Sequence, residues 1–213
     1  MTTKRSPESK VTPNTTTNTT PDTIYSYTTT FPDIGVITLY SDGDNLIGLS
    51  MPSQQYRLEP TEKEITDKEL PIFKTTEKWL TKYFAGKEPK KFPPIRFIGT
   101  PFRQKVWQAL LEIPHGELVT YGDLAKKLYP NDANTGIRAR AIGGAVGHNP
   151  IPIIVPCHRV VGANNNLTGY TGTPHLRRCG HGAPKVAETN NEKYILMLGP
   201  LMLNPYISSF LHS

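Results

Sequence analysis

Cysteine is scarce in this chain of 213 residues, which contains only Cys157 and Cys179. Two cysteines can form at most one bridge, which excludes the dense disulfide framework of a small secreted domain. A reduced thiol at Cys157 is therefore allowed.

Long apolar runs are missing as well. The N-terminus carries no apolar signal region, and the longest apolar run near the C-terminus, YILMLGPLML, is interrupted by Gly199 and Pro200. Because this run is too short to cross a bilayer, the sequence predicts a soluble, intracellular protein with no membrane partner.

Negative charge is outnumbered by positive charge. The chain has 24 Lys and Arg residues against 18 Asp and Glu residues, a formal charge of +6 and a pI near 9.2. This balance favours an anionic partner without identifying it. The length suits one large domain or two small ones, so the number of domains depends on the pattern along the chain.

The first half of the chain predicts a disordered tail and then a small α/β unit. Residues 1–22 are mostly Thr, Asn and Pro and bury almost nothing, so they are expected to be disordered. Within residues 23–90, three β-type runs with SDGDN as a turn signal predict a sheet. A helix over 66–86 is expected to cover it, because apolar side chains recur there at helical spacing: Ile72, Trp79, Leu80, Tyr83 and Phe84. Residues 91–98 are then expected to be a linker.

Residues 99–178 predict a second, mainly helical domain. Thr100 can cap a helix that has Pro101 at its first position. One face of this helix is apolar, formed by Phe102, Val106, Trp107, Leu110 and Leu111.

The next two helices have the outline of a helix-turn-helix. Thr120 can cap the helix YGDLAKKL, and the loop YPNDANTG leads into IRARAIGGAVGHN. The second helix carries Arg138 and Arg140 among small side chains, which would let its backbone approach a duplex closely.

The stretch NPIPIIVPCHRVVG places Cys157 between a proline and a histidine. A thiol is a poor nucleophile until its proton is removed, and His158 is a natural but not unique candidate base. Adjacent residues of an extended chain point to opposite faces, so His158 can reach the sulfur only through a turn or a bridging water. On pattern alone, a buried cysteine without chemistry is the commoner case.

Three blocks of the sequence closely resemble the O6-alkylguanine-DNA alkyltransferase family, in the family's order. They are GTPFRQKVWQALLEIPHGELVTYGDLA, RARAIGGAVGHNP and NPIPIIVPCHRVVG with LTGYTG, and LTKYFAGK resembles the family more loosely. The resemblance covers about residues 30–172. It implies an α+β fold: a small ribonuclease-H-like N-terminal domain, and a mainly helical C-terminal domain with a winged-helix-like helix-turn-helix and the PCHR loop.

The resemblance implies that Cys157 accepts an alkyl group from O6 of a flipped-out guanine and becomes a permanent thioether. The protein would then act once per molecule and need no cofactor. His158 would deprotonate the thiol through a bound water, and Asn149 would support the site. Tyr121 would assist guanine departure and rotation of the nucleotide.

The resemblance also implies the surfaces that meet the substrate. Arg140 would enter the base stack in place of the extruded base, while its helix lies in the minor groove. The residues expected to contact DNA beside it are Thr120, Ala139, Ala141 and Gly143. The residues expected to line the guanine pocket are Val160, Tyr170, Thr171 and Gly172. A monomer that binds double-stranded DNA containing O6-alkylguanine is expected, in the cytoplasm with the nucleoid, or in the nucleus of a eukaryote.

Simpler explanations exist for four of the residues singled out above. Asn149 suits a turn before Pro150, and a tyrosine at a helix start such as Tyr121 is usually packing. Arg138 and Arg140 suit a solvated basic face, and Arg138 suits it better.

The sequence departs from the family beyond Gly172. The family has a helix with a Leu-Leu-x-x-Glu pattern whose glutamate orients the histidine, and this pattern is absent here. Glu188 and Glu192 lie outside any such motif, so the resemblance implies a less well oriented His158 and an activity that is reduced or absent. Residues 179–213 are expected to be a divergent or frame-shifted tail. The group His175, Cys179 and His181 has little specificity for zinc, and no metal is expected.

Two other functions compete with alkyl transfer. A sensor would bind and flip the damaged base without reacting, which the missing glutamate motif favours and Cys157 opposes. A Cys-His hydrolase would need an oxyanion hole, for which the sequence carries no signal.

Overall fold

The computed structural model describes residues 19–32, 34–51, 64–87, 89 and 91–165. Its N-terminal part contains a sheet of four strands in the order β3-β2-β1-β4, counted over those residues. The strands are β1 (Ile24–Phe31), β2 (Gly35–Ser41), β3 (Leu46–Ser50) and β4 (Glu64–Thr66). β1, β2 and β3 run antiparallel in sequence order, and β4 pairs in parallel with β1.

The turn between β2 and β3 is built by the SDGDN sequence. The Asp42 carboxylate accepts hydrogen bonds from the backbone N–H of Asn45 at 2.7 Å and of Asp44 at 3.2 Å. Gly43 has a φ of +107°, a value that glycine adopts without steric cost. This local chemistry sets the hairpin, as the sequence predicted.

Helix α1 (Pro71–Phe84) packs its apolar side on this sheet. Its buried side chains are Ile72, Phe73, Thr76, Trp79, Leu80 and Tyr83. The expected start at residue 66 is wrong, because Glu64–Thr66 forms β4, which pairs with a strand 40 residues earlier (Ile24 with Glu64). Pro71 begins the helix, where its missing N–H costs nothing.

The second half contains α2 (Pro101–Leu110), α3 (Tyr121–Leu128) and α4 (Thr135–Gly147). The Thr100 hydroxyl caps α2 by accepting from Arg103 N–H at 3.3 Å, as predicted. The indole N–H of Trp107 donates to the Ala145 carbonyl at 2.8 Å and so ties α2 to α4. Helix α4 begins at Thr135 rather than Ile137, because Arg138 N–H already donates to the Asn134 carbonyl.

A reciprocal capping arrangement sets the start of α3. Asp123 N–H donates to the Thr120 hydroxyl oxygen at 3.0 Å, and Thr120 donates to the Asp123 carboxylate from its hydroxyl at 2.7 Å and its N–H at 3.2 Å. These hydrogen bonds lower the pKa of the Asp123 carboxyl, and the bond from the Thr120 hydroxyl contributes most. The cap therefore fixes where α3 starts.

The two halves share one apolar core and several backbone hydrogen bonds. The segment expected to be a linker lies along β3: Leu46 N–H donates to the Pro94 carbonyl, and Arg96 N–H donates to the Leu46 carbonyl. Leu49 N–H donates to the Pro150 carbonyl at 2.8 Å, so the sheet also holds the segment that follows α4. Over the described residues, no helix is both long enough and apolar enough to cross a bilayer.

Replacing Thr120 with Ala is expected to lower the free energy of unfolding by about 1 kcal/mol, because α3 loses its side-chain cap. Denaturant titration measures this. Thr81→Ala is the control, because that exposed hydroxyl only donates to a carbonyl inside α1. Equal stability of Thr120→Ala and the unaltered chain would contradict the assigned role of the cap.

Candidate active site

The segment from Asn149 to Arg159 is held by one buried side-chain amide. Asn149 is 3% exposed. Its Nδ2 donates to the Val155 carbonyl at 2.8 Å, and its Oδ1 accepts from Ile151 N–H at 3.0 Å. Backbone groups that are buried without hydrogen-bond partners cost free energy. Because the Asn149 amide provides partners for two such groups, the loop can be buried.

Backbone hydrogen bonds then turn the chain tightly toward Cys157. Val155 N–H donates to the Ile151 carbonyl at 3.0 Å, and Cys157 N–H donates to the Val155 carbonyl at 2.8 Å. The second bond closes a three-residue turn on Pro156, whose φ of −80° and ψ of 62° are those of an inverse γ-turn. Ile153 has a φ of +73°, which costs a branched residue about 1–3 kcal/mol. Such strain persists only where the surroundings impose it.

Cys157 and His158 open a 3-10 turn, Cys157–Arg159, and both are buried. Adjacent side chains on such a turn point about 120° apart, since it has three residues per turn. The turn therefore separates the two side chains less than an extended chain would. Cys157 is 5% exposed, so its side chain is almost entirely covered by the protein.

The imidazole of His158 contacts the N-terminal half of the chain. Its Nε2 is hydrogen-bonded to the Tyr83 hydroxyl of α1 at 3.0 Å, and His158 is 1% exposed. Tyr83 itself stacks on Trp79, with ring centroids 5.2 Å apart. The orientation of this imidazole is thus linked to α1.

Arg159 anchors the end of the turn. Its Nη1 donates to the Ile113 carbonyl at 2.9 Å, and its Nε is buried without a hydrogen-bond partner among the described residues. The chain continues into β6 (Val160–Val161), which pairs in parallel with β5 (Val119–Thr120). Because Thr120 pairs with Val161, the start of α3 lies beside the end of the cysteine turn.

Tyr121 follows this strand pair and is half-buried. Its ring lies 3.8 Å from the position that a Cβ on Gly143 would take. The Tyr121 ring therefore lies over Gly143 of α4, at ordinary van der Waals distance from the position of an added Cβ. The structure brings together five of the predicted residues: Cys157, His158, Asn149, Val160 and, through the strand pair, Thr120.

The outer side of α4 presents Arg140, Ala141 and Gly144, which are all exposed. The position that a Cβ on Gly144 would take lies in open space. Ala139 is half-buried and packs against the core. Over the described residues, Arg140 makes no hydrogen bond and no ion pair with another side chain. Its guanidinium is therefore available to a ligand.

Arg138 differs from Arg140 because it is already engaged. Its Nε donates to the Asp132 carboxylate at 2.6 Å, and its guanidinium lies over the Tyr129 ring, 4.7 Å from the centroid. The hydrogen bond from Arg138 is the main reason why the pKa of Asp132 is lowered. This arrangement supports the simpler explanation of Arg138 as part of a surface network.

Several sequence predictions fall outside the described residues. They concern Tyr170, Thr171 and Gly172 of the pocket, Glu188 and Glu192, and the group His175, Cys179 and His181. Within the part of the chain that the structure describes, no three His, Cys, Asp or Glu side chains are grouped so that they could hold a metal ion.

Two residues of the site were missed by sequence reasoning. Tyr83 was assigned only to the apolar face of a helix, and Arg159 was not singled out. The available signal for Tyr83 was its hydroxyl, because a buried tyrosine usually has a hydrogen-bond partner. The signal for Arg159 was its charge within an otherwise apolar segment, IPIIVPCHRVV.

The fold and the site define a class of protein: a mixed sheet and helix protein with a buried thiol turn beside a helix-turn-helix. Residues 24–97 match the family model described as 6-O-methylguanine DNA methyltransferase, ribonuclease-like domain. Residues 101–180 match the model for the DNA binding domain of the same family. The chain belongs to the 6-O-methylguanine DNA methyltransferase family, which confirms the predicted family and the α+β fold class.

Individual relatives agree with this membership. The chain is 40% identical over 155 residues to the methylated-DNA--protein-cysteine methyltransferase of Haemophilus influenzae, covering 71% of this chain and 82% of the relative. It is 42% identical over 152 residues to the protein of that name from Mycobacterium tuberculosis, covering 71% and 87%. The crystal structure of Mycobacterium tuberculosis OGT in complex with DNA superposes with a TM-score of 0.60 at 38% identity, covering 73% of this chain and 89% of that one.

Replacing Asn149 with Ala is expected to lower the free energy of unfolding by about 1–3 kcal/mol, because the buried Ile151 N–H loses its partner while the Val155 carbonyl keeps the hydrogen bond from Cys157 N–H. Chemical denaturation measures the loss. Asn131→Ala, on the exposed loop before α4, is the control and should change stability by less than about 0.5 kcal/mol. Similar effects of the two variants would show that the Asn149 amide does not hold the loop.

Proposed function

We propose that this chain repairs alkylated DNA by moving a methyl or other small alkyl group from O6 of guanine, and from O4 of thymine, to Cys157. The observation that carries the proposal is the buried, rigidly turned thiol at Cys157 in a chain of this family. The relatives' names supply the reaction class, a methyl transfer to a cysteine of the protein.

The proposed transfer is a displacement at the alkyl carbon. The thiol proton passes to His158, and the thiolate sulfur attacks the carbon. The bond between that carbon and O6 breaks, and its electron pair goes to O6. The departing guanine takes up a proton, for which the Tyr121 hydroxyl is the proposed donor.

The product explains why the reaction is stoichiometric. A carbon–sulfur thioether is not hydrolysed at neutral pH, and the mechanism includes no group that removes it. Each chain is therefore consumed by one transfer. The sulfur supplies the electron pair itself, so the proposal requires no cofactor.

The burial of Cys157 determines how the substrate must arrive. O6 of a paired guanine lies within the duplex, so the nucleotide has to leave the stack to reach a thiol that is 5% exposed. Flipping costs a few kcal/mol, which the protein has to offset with contacts to the DNA and the extruded base. The proposed partner is therefore double-stranded DNA that contains O6-alkylguanine, bound by a monomer.

The exposed side of α4 suits this task. Arg140 projects from a helix on which the exposed residues that follow it, Ala141 and Gly144, are small. A small-residue surface lets the helix lie close to the minor groove, and Arg140 is the proposed wedge that replaces the flipped base. The solved relative is a complex with DNA, and the net charge of +6 favours the same partner.

The alternative of a sensor that binds without reacting is not favoured. The relatives carry the name of a methyltransferase, and Cys157 is present in this chain.

Incubation with duplex DNA bearing radioactive O6-methylguanine is expected to label the protein on the peptide that contains Cys157. The peptide gains about 14 Da, the mass of one CH2, because the thiolate takes up a methyl group and loses a proton. Cys157→Ser is the matched control, since it has nearly the same shape and a far weaker nucleophile. Folded protein that stays unlabelled, or label on another residue, would contradict the proposal.

Arg140→Ala is expected to reduce affinity for duplex DNA and to slow transfer from duplex DNA by about tenfold or more, since the wedge is lost. Transfer from a single-stranded oligonucleotide should change much less, because its bases need no wedge. Lys78→Ala, which removes an exposed charge from α1, serves as the charge control. Equal losses for the two variants would mean that Arg140 contributes only net charge.

A further inference from the structure

The hydroxyl of Tyr83 is the feature of the site that the proposed reaction does not yet use. It lies 3.0 Å from Nε2 of His158, and the two residues are 75 positions apart in the chain. Tyr83 is 3% exposed and His158 is 1% exposed, so water does not weaken this hydrogen bond. A buried phenol that binds a buried imidazole beside a nucleophile can influence where the proton of that imidazole resides.

Packing around Tyr83 fixes the hydroxyl in place. The ring stacks on Trp79 with an interplanar angle of 12°, and its edge meets Phe84 at a centroid distance of 5.9 Å. The helix that carries it is packed on β2 and β3. A hydroxyl on such a support directs its hydrogen bond with little loss of conformational entropy.

We infer that Tyr83 is a positioning residue for alkyl transfer: its hydroxyl oxygen accepts a hydrogen bond from Nε2–H of His158 and thereby assigns Nδ1 as the atom that receives the thiol proton. This inference rests on the proposed function. In the step it concerns, the proton leaves Sγ of Cys157 and binds Nδ1 of His158, directly or through a water. The products are a thiolate and an imidazolium, and no proton or electron is left over.

The charge formed in this step explains why the phenol matters more during the reaction than before it. A hydrogen bond from an imidazolium to an oxygen is about twice as strong as one from a neutral imidazole. The Tyr83 oxygen therefore stabilises the thiolate–imidazolium pair relative to the neutral pair. Removing the Tyr83 hydroxyl shifts the equilibrium from the thiolate–imidazolium pair back to the neutral thiol and imidazole. A higher pH is then needed to form the thiolate.

Tyr83→Phe tests this directly, because it removes the hydroxyl and keeps the ring that stacks on Trp79. The rate of single-turnover methyl transfer at pH 7 is expected to fall about tenfold. The midpoint of the pH–rate profile is expected to move upward, so that much of the rate returns at alkaline pH. A rate that falls by one factor at every pH, or an unchanged profile, would overturn the inference.

Tyr27→Phe is the matched control. It also removes a tyrosine hydroxyl that contacts α1, here bound to the Glu77 carboxylate at 3.1 Å, but at a place that does not touch His158. Its profile should coincide with that of the unaltered chain. Among the residues that the structure describes, Cys157 and Arg159 flank His158 in its turn, and the ring centroid of His115 is 6.0 Å from that of Tyr83. A midpoint shift in His115→Gln together with none in Tyr83→Phe would also overturn the inference.

A second measurement needs no variant and no activity. Nitrogen-15 NMR of the imidazole in the unreacted protein is expected to show the neutral His158 ring protonated on Nε2. Protonation on Nδ1 would contradict the inference even if methyl transfer proceeds. Absence of transfer in the unaltered chain, with the Nε2 tautomer present, would instead count against the proposed function alone.

Discussion

The structure of the site depends on the side-chain amide of Asn149. It holds the Val155 carbonyl and the Ile151 N–H at the same time, and without it the buried Ile151 N–H would lose its partner and the Val155 carbonyl would keep only its hydrogen bond from Cys157 N–H. With those groups satisfied, the proline-rich segment can be fully buried and can follow its tight turn into Cys157. The strained φ of Ile153 persists because this loop is held at both ends.

The N-terminal sheet and α1 do more than stabilise the chain. β3 binds the Pro150 carbonyl through Leu49, and α1 binds the histidine of the site through Tyr83. The cysteine turn is thus held from three directions: by Asn149 from within, by the N-terminal half, and by the β5–β6 pair that leads to α3. A thiol fixed in this way cannot move out to the duplex, so the reacting base has to enter the site. This agrees with the proposed flipping of the base.

Local chemistry made part of this arrangement predictable. Thr100 with Pro101, the Thr120 cap and the SDGDN turn each depend on residues a few positions apart, and each lies where the sequence predicted. The start of α1 was set too early, because residues 64–66 pair with a strand distant in sequence. The Tyr83–His158 contact and the anchoring of Arg159 on Ile113 were not predictable either, since they join residues 75 and 46 positions apart. The resemblance supplied the proposed roles of Cys157 and Arg140, which no local pattern could.

The central claim is that Cys157 accepts one alkyl group and is then spent. The most direct test is a stoichiometric titration, in which a fixed amount of protein receives increasing amounts of duplex DNA containing O6-methylguanine. The account predicts that methyl transfer stops at one group per chain. Continued turnover beyond one group, or no transfer by folded protein, would contradict it.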